Sequence, residues 1–400
     1  MKYLILIGDG MADEPLKECD GKTPLEYAHT PNMDRIAGAG VFGLFKTIPD
    51  GFPPGSDVAA LSIFGYPPQR YYTGRAPLEA ASLGVRLAEG DVAFRCNLVT
   101  LREDGTVLME DYSAGHISTE EAAKIMETLN ERLSHLGVTF YTGKSYRHLM
   151  VWHDGRDGIK TTPPHDIMGK PIEEYLPRGE GAERLKELME LSREVLKDHP
   201  VNITRKKEGK PTADSIWLWG GGRSPVVPTF KERFDMEGAV ISAVDLVNGI
   251  GVLAGLEVIK VPGATGYIDT NYEGKADHAL EALRTKDFVC VHVEAPDEAG
   301  HEGSLEKKLR AIEDFDKKVV GRVLDGIKGF DAVRVAVLAD HPTPVRLRTH
   351  TPEPVPFAIC TGVPAEDPLV AFCEREAQDS GVFIETPEDF IEEFLGRKTT

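Results

Sequence analysis

Asp9, Asp297 and Asp340 each follow a short apolar run, and two of them have histidines close by. His301 comes four residues after Asp297, His341 directly follows Asp340, and His350 lies in the loop beyond. Mixed carboxylate and imidazole donors suit Mn²⁺, Zn²⁺, Co²⁺ or Fe²⁺, whereas carboxylates alone suit Mg²⁺ better. Six such donors are too many for one ion and enough for two. Two ions about 4 Å apart can clamp the attacking and leaving oxygens of an in-line displacement. A single Asp–His pair is most often a surface feature or a satisfied hydrogen bond, so the joint pattern carries the signal. His292, inside an apolar run, reads as a core residue.

The nucleophile candidate is Ser56. The turn-rich loop Gly51-Phe52-Pro53-Pro54-Gly55 runs into a helical stretch, Ser56 to Phe64, which puts Ser56 at or near the N-cap. Serine there commonly only caps. A helix N-terminus also favours an anion or a bound phosphate, and an unassisted serine hydroxyl needs such help to attack. If Ser56 lies over the strand ends, it is the phosphoryl acceptor. Asp57 reads as a complement to the helix dipole.

These residues need elements to hold them. Tyr3 to Ile7, Phe288 to Val293 and Val333 to Ala339 are continuous apolar runs, the pattern of strands buried on both faces of a parallel sheet. Ser304 to Asp325, with Leu305, Leu309, Ile312, Phe315, Val319 and Val320 on one stripe, predicts the helix of a βαβ unit. In open parallel sheets, ligands bind beyond the carboxyl ends of the strands, so three acids there converge. Gly238 to Ala243 and Asp245 to Leu256 predict another strand and helix, Pro356 to Cys360 a late strand, and Pro387 to Leu395 a closing helix. The middle differs. It predicts a hairpin from Val92 to Leu101 and Thr106 to Tyr112, helices over Thr119 to Leu136 and Glu180 to Lys197, and further strand within Thr139 to Trp152. The expected fold class is α/β: a mainly parallel sheet flanked by helices, plus a smaller inserted α+β domain. Residues 1–80 and 235–400 form the discontinuous core and 81–234 the insertion.

The 400 residues carry a formal net charge of −19, which supplies no basic field for nucleic acid or an anionic membrane. A phosphate-ester substrate must therefore be held by metal ions and a local arginine cluster. Cys19, Cys96, Cys290, Cys360 and Cys373 are scattered without any C-x-x-C pair, as expected of free thiols in the cytoplasm. No signal peptide is expected, and no apolar run approaches the roughly 20 residues of a membrane span.

Gly8-Asp9-Gly10-Met11, Gly55-Ser56-Asp57-Val58, Asp297-Glu298-Ala299-Gly300-His301, Asp340-His341 and His350 together resemble the alkaline phosphatase superfamily. Asp111 to Thr119 and Trp217 to Arg223 resemble the archaeal-type branch of the cofactor-independent phosphoglycerate mutases, and this resemblance spans essentially the whole chain. It implies an alkaline-phosphatase-like core and two divalent ions, Mn²⁺ first, with Zn²⁺, Co²⁺ or Mg²⁺ as alternatives. Asp9, Ser56, Asp340 and His341 would hold one ion; Asp297, His301 and His350 would hold the other. It further implies interconversion of 3-phosphoglycerate and 2-phosphoglycerate through a phosphoserine, without bisphosphoglycerate. The insertion would hold glycerate and exclude water. His116 is the proton-transfer candidate, and Arg147, Arg223, Arg75 and Arg95 are candidate clamps. Other phosphoryl transfers on the same centre remain open: a phosphatase, a phosphopentomutase or a homoserine-kinase-like activity. So does a metal-binding protein without catalysis.

Overall fold

The computed structural model describes residues 1–366 and 370–397. Its strands, in chain order, are β1 Lys2–Gly8, β2 Val41–Phe45, β3 Val92–Asp104, β4 Thr106–Asp111, β5 Val138–Lys144, β6 Arg147–Trp152, β7 Ser215–Gly222, β8 Gly238–Ile241, β9 Glu257–Val258, β10 Phe288–Val293, β11 Val333–Ala339, β12 Val355–Thr361 and β13 Phe383–Ile384. The chain divides into two compact units, Met1–Tyr72 with Val226–Thr400, and Thr73–Pro225.

The first unit is built on an eight-stranded sheet ordered β13-β2-β12-β11-β1-β10-β8-β9. Its centre is parallel, with β1 between β10 and β11. These three strands are almost wholly apolar because helices cover both faces; Leu4, Ile5, Val289, Val291, Val335 and Val337 have no exposed surface. Only β12 runs against its neighbours, pairing antiparallel with β11 and β2. Register sets the site. Gly8 pairs with Val293 on one side and with Ala339 on the other. The residues that follow, Asp9, Glu294 and Asp340, therefore leave the sheet at one level.

The helix predicted over Ser304 to Asp325 is interrupted. Leu305–Phe315 is α-helical, Asp316–Val320 is a π-turn, and Gly321–Gly326 resumes the α-helix. Asp316 at the interruption is buried and accepts from the backbone N–H groups of Asn32 and Met33, in the first turn of the helix Pro31–Gly38. It thereby satisfies donors that a helix N-terminus leaves open.

The second unit holds an antiparallel sheet in which β3 pairs β6 and β7 along its first stretch, residues 92–99, and β4 along residues 100–104, with β5 beyond β6. The predicted hairpin is β3 and β4. The helices Thr119–Leu133 and Ala182–Leu196 pack their apolar stripes, including Ile125, Leu129, Leu185 and Leu188, into a separate core with Trp217 and Leu218. A capping box at Ser118 and Glu121 starts the first of these helices. The five cysteines are free and buried. No helix among the described residues is long and apolar enough to cross a membrane.

Candidate metal centre

The predicted ligands gather into two groups at the carboxyl ends of β1, β10 and β11. Asp9, Asp340 and His341 form one group, fully buried; Asp297, His301 and His350 form the other, partly open. Asp297 departs from the expectation of a strand end. It lies in the first turn of the helix Ala295–Glu302, which Pro296 helps to start two residues after β10. One turn on, His301 shares its face, and the two side chains meet at 3.2 Å.

Ser56 is the first residue of the helix Ser56–Ile63, with Gly55 in the N-cap position. Its hydroxyl lies 3.3 Å from Oδ2 of Asp9 and 3.2 Å from Nε2 of His341. The sequence-predicted serine and the first group thus form one cluster. Asp57 is buried and accepts from the Tyr72 hydroxyl at 2.7 Å. That hydrogen bond was not foreseen from its place in the first helical turn.

The histidines are oriented alike. Nδ1 of His301 faces the carbonyl of Arg348 at 3.1 Å, and Nδ1 of His350 faces that of Pro54 at 3.2 Å. A carbonyl only accepts, so both Nδ1 atoms carry a proton, and in the neutral rings both Nε2 atoms present lone pairs. Those Nε2 atoms lie 2.9 Å apart, and that of His350 is 3.4 Å from Oδ1 of Asp297. Two lone pairs and a carboxylate facing one another repel unless a metal cation or a proton sits among them. Outer hydrogen bonds of this kind fix the tautomer of metal-binding histidines.

Electrostatics lead to the same place. Burial raises Asp9 well above the usual carboxylate range, and the neighbouring Asp340, Asp297 and Glu294 push it further. Burial works the same way on Asp340, but His341 and His292 outweigh it and hold it at about 2. Asp297 is held well below the usual range against burial by hydrogen bonds from His301 and His350. His301 is raised to about 9, chiefly by its hydrogen bond to Asp297. Oδ2 of Asp340 is buried with no hydrogen-bond partner. Close buried carboxylates with an orphaned oxygen demand a compensating cation, and mixed N/O donors fit a divalent transition metal.

His292 is buried, but its surroundings are not those of a core residue. Nε2 lies 3.3 Å from Asp9 and 3.9 Å from Asp340, and Nδ1 lies 3.2 Å from Glu294. Behind it, fully buried Lys275 donates to Glu294 at 2.7 Å. Nothing in the strand pattern of Phe288–Val293 marked this histidine: every position there is buried, so alternation gives no face.

In the second unit, Arg95 is buried on β3, pairs with Glu79 through two nitrogens, and lies 4.0 Å over the ring of Trp219. Burial lowers its pKa, Glu79 opposes that, and the charges of Arg75 and Arg147 lower it further. Arg75, Arg95 and Arg147 thus share one neighbourhood. Arg147 also sits over Tyr146, whose ring meets those of Tyr112 and His116 edge-on. Ala114, Gly115 and His116 all have positive φ. Asp111 holds this turn by accepting from Ser113 and Gly115. Left-handed backbone at two non-glycine residues is strained, a recurring mark of functional loops. His165, which the sequence did not single out, packs edge-on to Trp219 and Tyr112. Arg223 is engaged apart from that cluster, by Asp157 at 3.0 Å and the carbonyl of Gly155.

Parallel strands that end on carboxylate–histidine groups, with a helix-borne serine beside them, give an α/β protein with a candidate centre for divalent metal. A probable 2,3-bisphosphoglycerate-independent phosphoglycerate mutase of Geobacter sulfurreducens is 56% identical, with 99% of this chain and 100% of that one covered. The chain belongs to the 2,3-bisphosphoglycerate-independent phosphoglycerate mutase family, whose family model also matches residues 37–202. Among solved structures, a protein of Pyrococcus horikoshii is 34% identical with a TM-score of 0.81, covering 100% of this chain and 98% of that one. The cofactor-independent phosphoglycerate mutase of Thermoplasma acidophilum is 26% identical with a TM-score of 0.67, and 99% of each chain is covered.

Proposed function

We propose that the chain interconverts 3-phosphoglycerate and 2-phosphoglycerate through a phosphoserine at Ser56, with no free bisphosphoglycerate. One observation carries the reading: the imidazoles of His301 and His350 each give Nδ1 to a backbone carbonyl and turn Nε2 into a carboxylate cluster, while Nε2 of His341 meets Ser56. Asp9, Ser56, Asp340 and His341 would hold one divalent ion, and Asp297, His301 and His350 the other. Mn²⁺ is the first choice. When bound, such ions would polarise a phosphoryl oxygen and favour the serine alkoxide.

The chain's own residues do the rest. Ser56 Oγ forms a bond to phosphorus as the bond from the substrate's 3-oxygen to phosphorus breaks. The helix N-terminus at Ser56 favours the anionic group it then carries. The freed glycerate reorients, its 2-hydroxyl attacks the phosphoserine, and Ser56 leaves. His116 moves the proton to and from the glycerate hydroxyls. Arg75, Arg95 and Arg147 hold the glycerate carboxylate, the geometry for which guanidinium groups are best suited. Keeping water from the phosphoserine is the task assigned to the Thr73–Pro225 unit. The five buried thiols suit a cytoplasmic setting.

The test strips the protein with chelator, restores Mn²⁺, and assays isomerisation without bisphosphoglycerate while counting free phosphate. Metal-dependent isomerisation with little phosphate release is expected. Phosphate release without isomerisation would make the protein a phosphatase.

A further inference from the structure

Thr343 was not singled out from the sequence, yet it has no exposed surface and lies between the two metal groups. Its hydroxyl donates to Oδ1 of Asp297 at 2.5 Å and lies 3.3 Å from Nδ1 of His341. A hydroxyl has one proton. Once that proton is given to Asp297, the contact with His341 requires Nδ1–H as donor and the threonine oxygen as acceptor. Nε2 of His341 is then left with its lone pair, aimed at Asp9, Asp340 and Ser56. We propose that Thr343 is a positioning residue that couples the two metal groups, setting the tautomer of His341 in one and the orientation of Asp297 in the other.

The surroundings are built to keep this hydroxyl in place. The N–H of Thr343 donates to the carbonyl of Ala12, and its own carbonyl accepts from Lys308 at 2.8 Å. Lys308 is fully buried and paired at 2.7 Å with Asp13, also fully buried at its side chain. Asp13 in turn accepts from the N–H of Val345. The loop after β1 and the loop after β11 are therefore tied together on either side of Thr343. Space is reserved for it as well. A Cβ at Gly10 would lie 2.6 Å from the threonine hydroxyl, and a Cβ at Gly300 would lie 2.5 Å from its carbonyl oxygen. Gly10 and Gly300 stand beside Asp9 and His301, so both motifs give up a side chain where Thr343 fits.

This inference rests on the two groups holding ions, and its test separates the two claims. The full chain, freed of metal, is titrated with Mn²⁺ by calorimetry as wild type, Thr343→Val and Thr343→Ser. Melting in chelator reports folding of each. Anomalous scattering from crystals grown at limiting Mn²⁺ reports the occupancy of each group. Wild-type protein that binds no Mn²⁺ at either group overturns the metal reading itself. With wild type binding, Thr343→Val is expected to weaken Mn²⁺ binding about 10- to 100-fold, the usual effect of losing an outer hydrogen bond to a ligand. Occupancy should fall at both groups, and Thr343→Ser should recover affinity to within about threefold of wild type, well inside the loss from removing the hydroxyl. Unchanged binding in Thr343→Val, a serine variant as weak as the valine one, or a loss confined to one group each overturns the proposal. If the valine variant does not fold, Thr343→Ala removes the same hydroxyl and allows the same comparison.

Discussion

The two units build their candidate functional residues in opposite ways. In the first, every predicted ligand but the loop residue His350 lies in or just after a strand or helix, and the ring nitrogens of His301 and His350 that face away from the cluster are held by backbone carbonyls. In the second, His116 and His165 are exposed, and the cluster is assembled from aromatic edges and a strained turn on an antiparallel sheet. A metal group needs donors fixed to fractions of an ångström, which rigid elements provide. A site that must let glycerate turn between two attacks needs groups that can yield. In the proposed reaction, phosphoryl chemistry falls to a stiff scaffold and substrate handling to an adaptable one.

The sharpest way to break that division is Ser56→Ala. Turnover should fall on the order of 10⁶-fold, as when a covalent nucleophile is deleted elsewhere, while calorimetry still finds Mn²⁺ bound. Activity retained in this variant would sink the covalent mechanism. Next comes the scaffold itself. Lys275→Met leaves Glu294 buried without its ammonium partner. Breaking a buried pair from one side costs about 3–5 kcal/mol, which denaturant unfolding would read directly. A change below about 1 kcal/mol, the range of exposed pairs, would mean that the network behind Asp9 is not rigid.

Much of the first unit was legible in the sequence, because fully buried parallel strands announce themselves as continuous apolar runs and their ends concentrate acids. Asp9, Asp340 and His341 could be found that way. The short strands β2, β9 and β13 were not, since runs of two to five residues such as Val41–Phe45 carry too little pattern. Nor were His292, Lys275, Lys308 and Thr343, each of which has a partner distant in sequence, respectively Asp9, Glu294, Asp13 and Asp297. In the second unit the hairpin and the two long helices were legible, but the helix Pro200–Lys207 and the grouping of Arg75, Arg95 and Arg147 were not. The grouping depends on which strand faces share a side of the sheet, and β3 carries a bulge between Ala93 and Arg95 where it meets β7.

A smaller effect sharpens the comparison within the second unit. Arg147 is exposed and lies over Tyr146, whereas Arg223 is held by Asp157 and the carbonyl of Gly155. Arg147→Ala should raise KM for phosphoglycerate by about 10- to 100-fold, the equivalent of roughly 1.5–3 kcal/mol for a lost charged hydrogen bond. Arg223→Ala should leave KM within about threefold, since its guanidinium already has partners. The reverse ranking in steady-state kinetics would move the clamp to Arg223.

The smallest expected effect concerns acid, and it differs between the units. In the second, burial lowers His148 to about 4, against a weaker backbone hydrogen bond. Below pH 6.5 the unfolded chain binds a proton that the folded unit does not, so its stability contribution is complete above pH 6.5 and drains away as pH falls towards 4. In the first, burial raises Asp316 to about 6 against its hydrogen bonds from Met33 and Asn32. There the folded unit binds the extra proton between pH 6 and 3.8, so this group favours folding more as pH falls through that window. Each slope is at most about 1.4 kcal/mol per pH unit. The chain's three tryptophans, Trp152, Trp217 and Trp219, all lie in the second unit, so their emission follows its unfolding alone. Urea midpoints read by that emission should drop between pH 6.5 and 4.5, and His148→Asn, which keeps an acceptor for the N–H of Gly143, should flatten the drop. A wild-type midpoint independent of pH would mean that His148 protonates without opening the core around it.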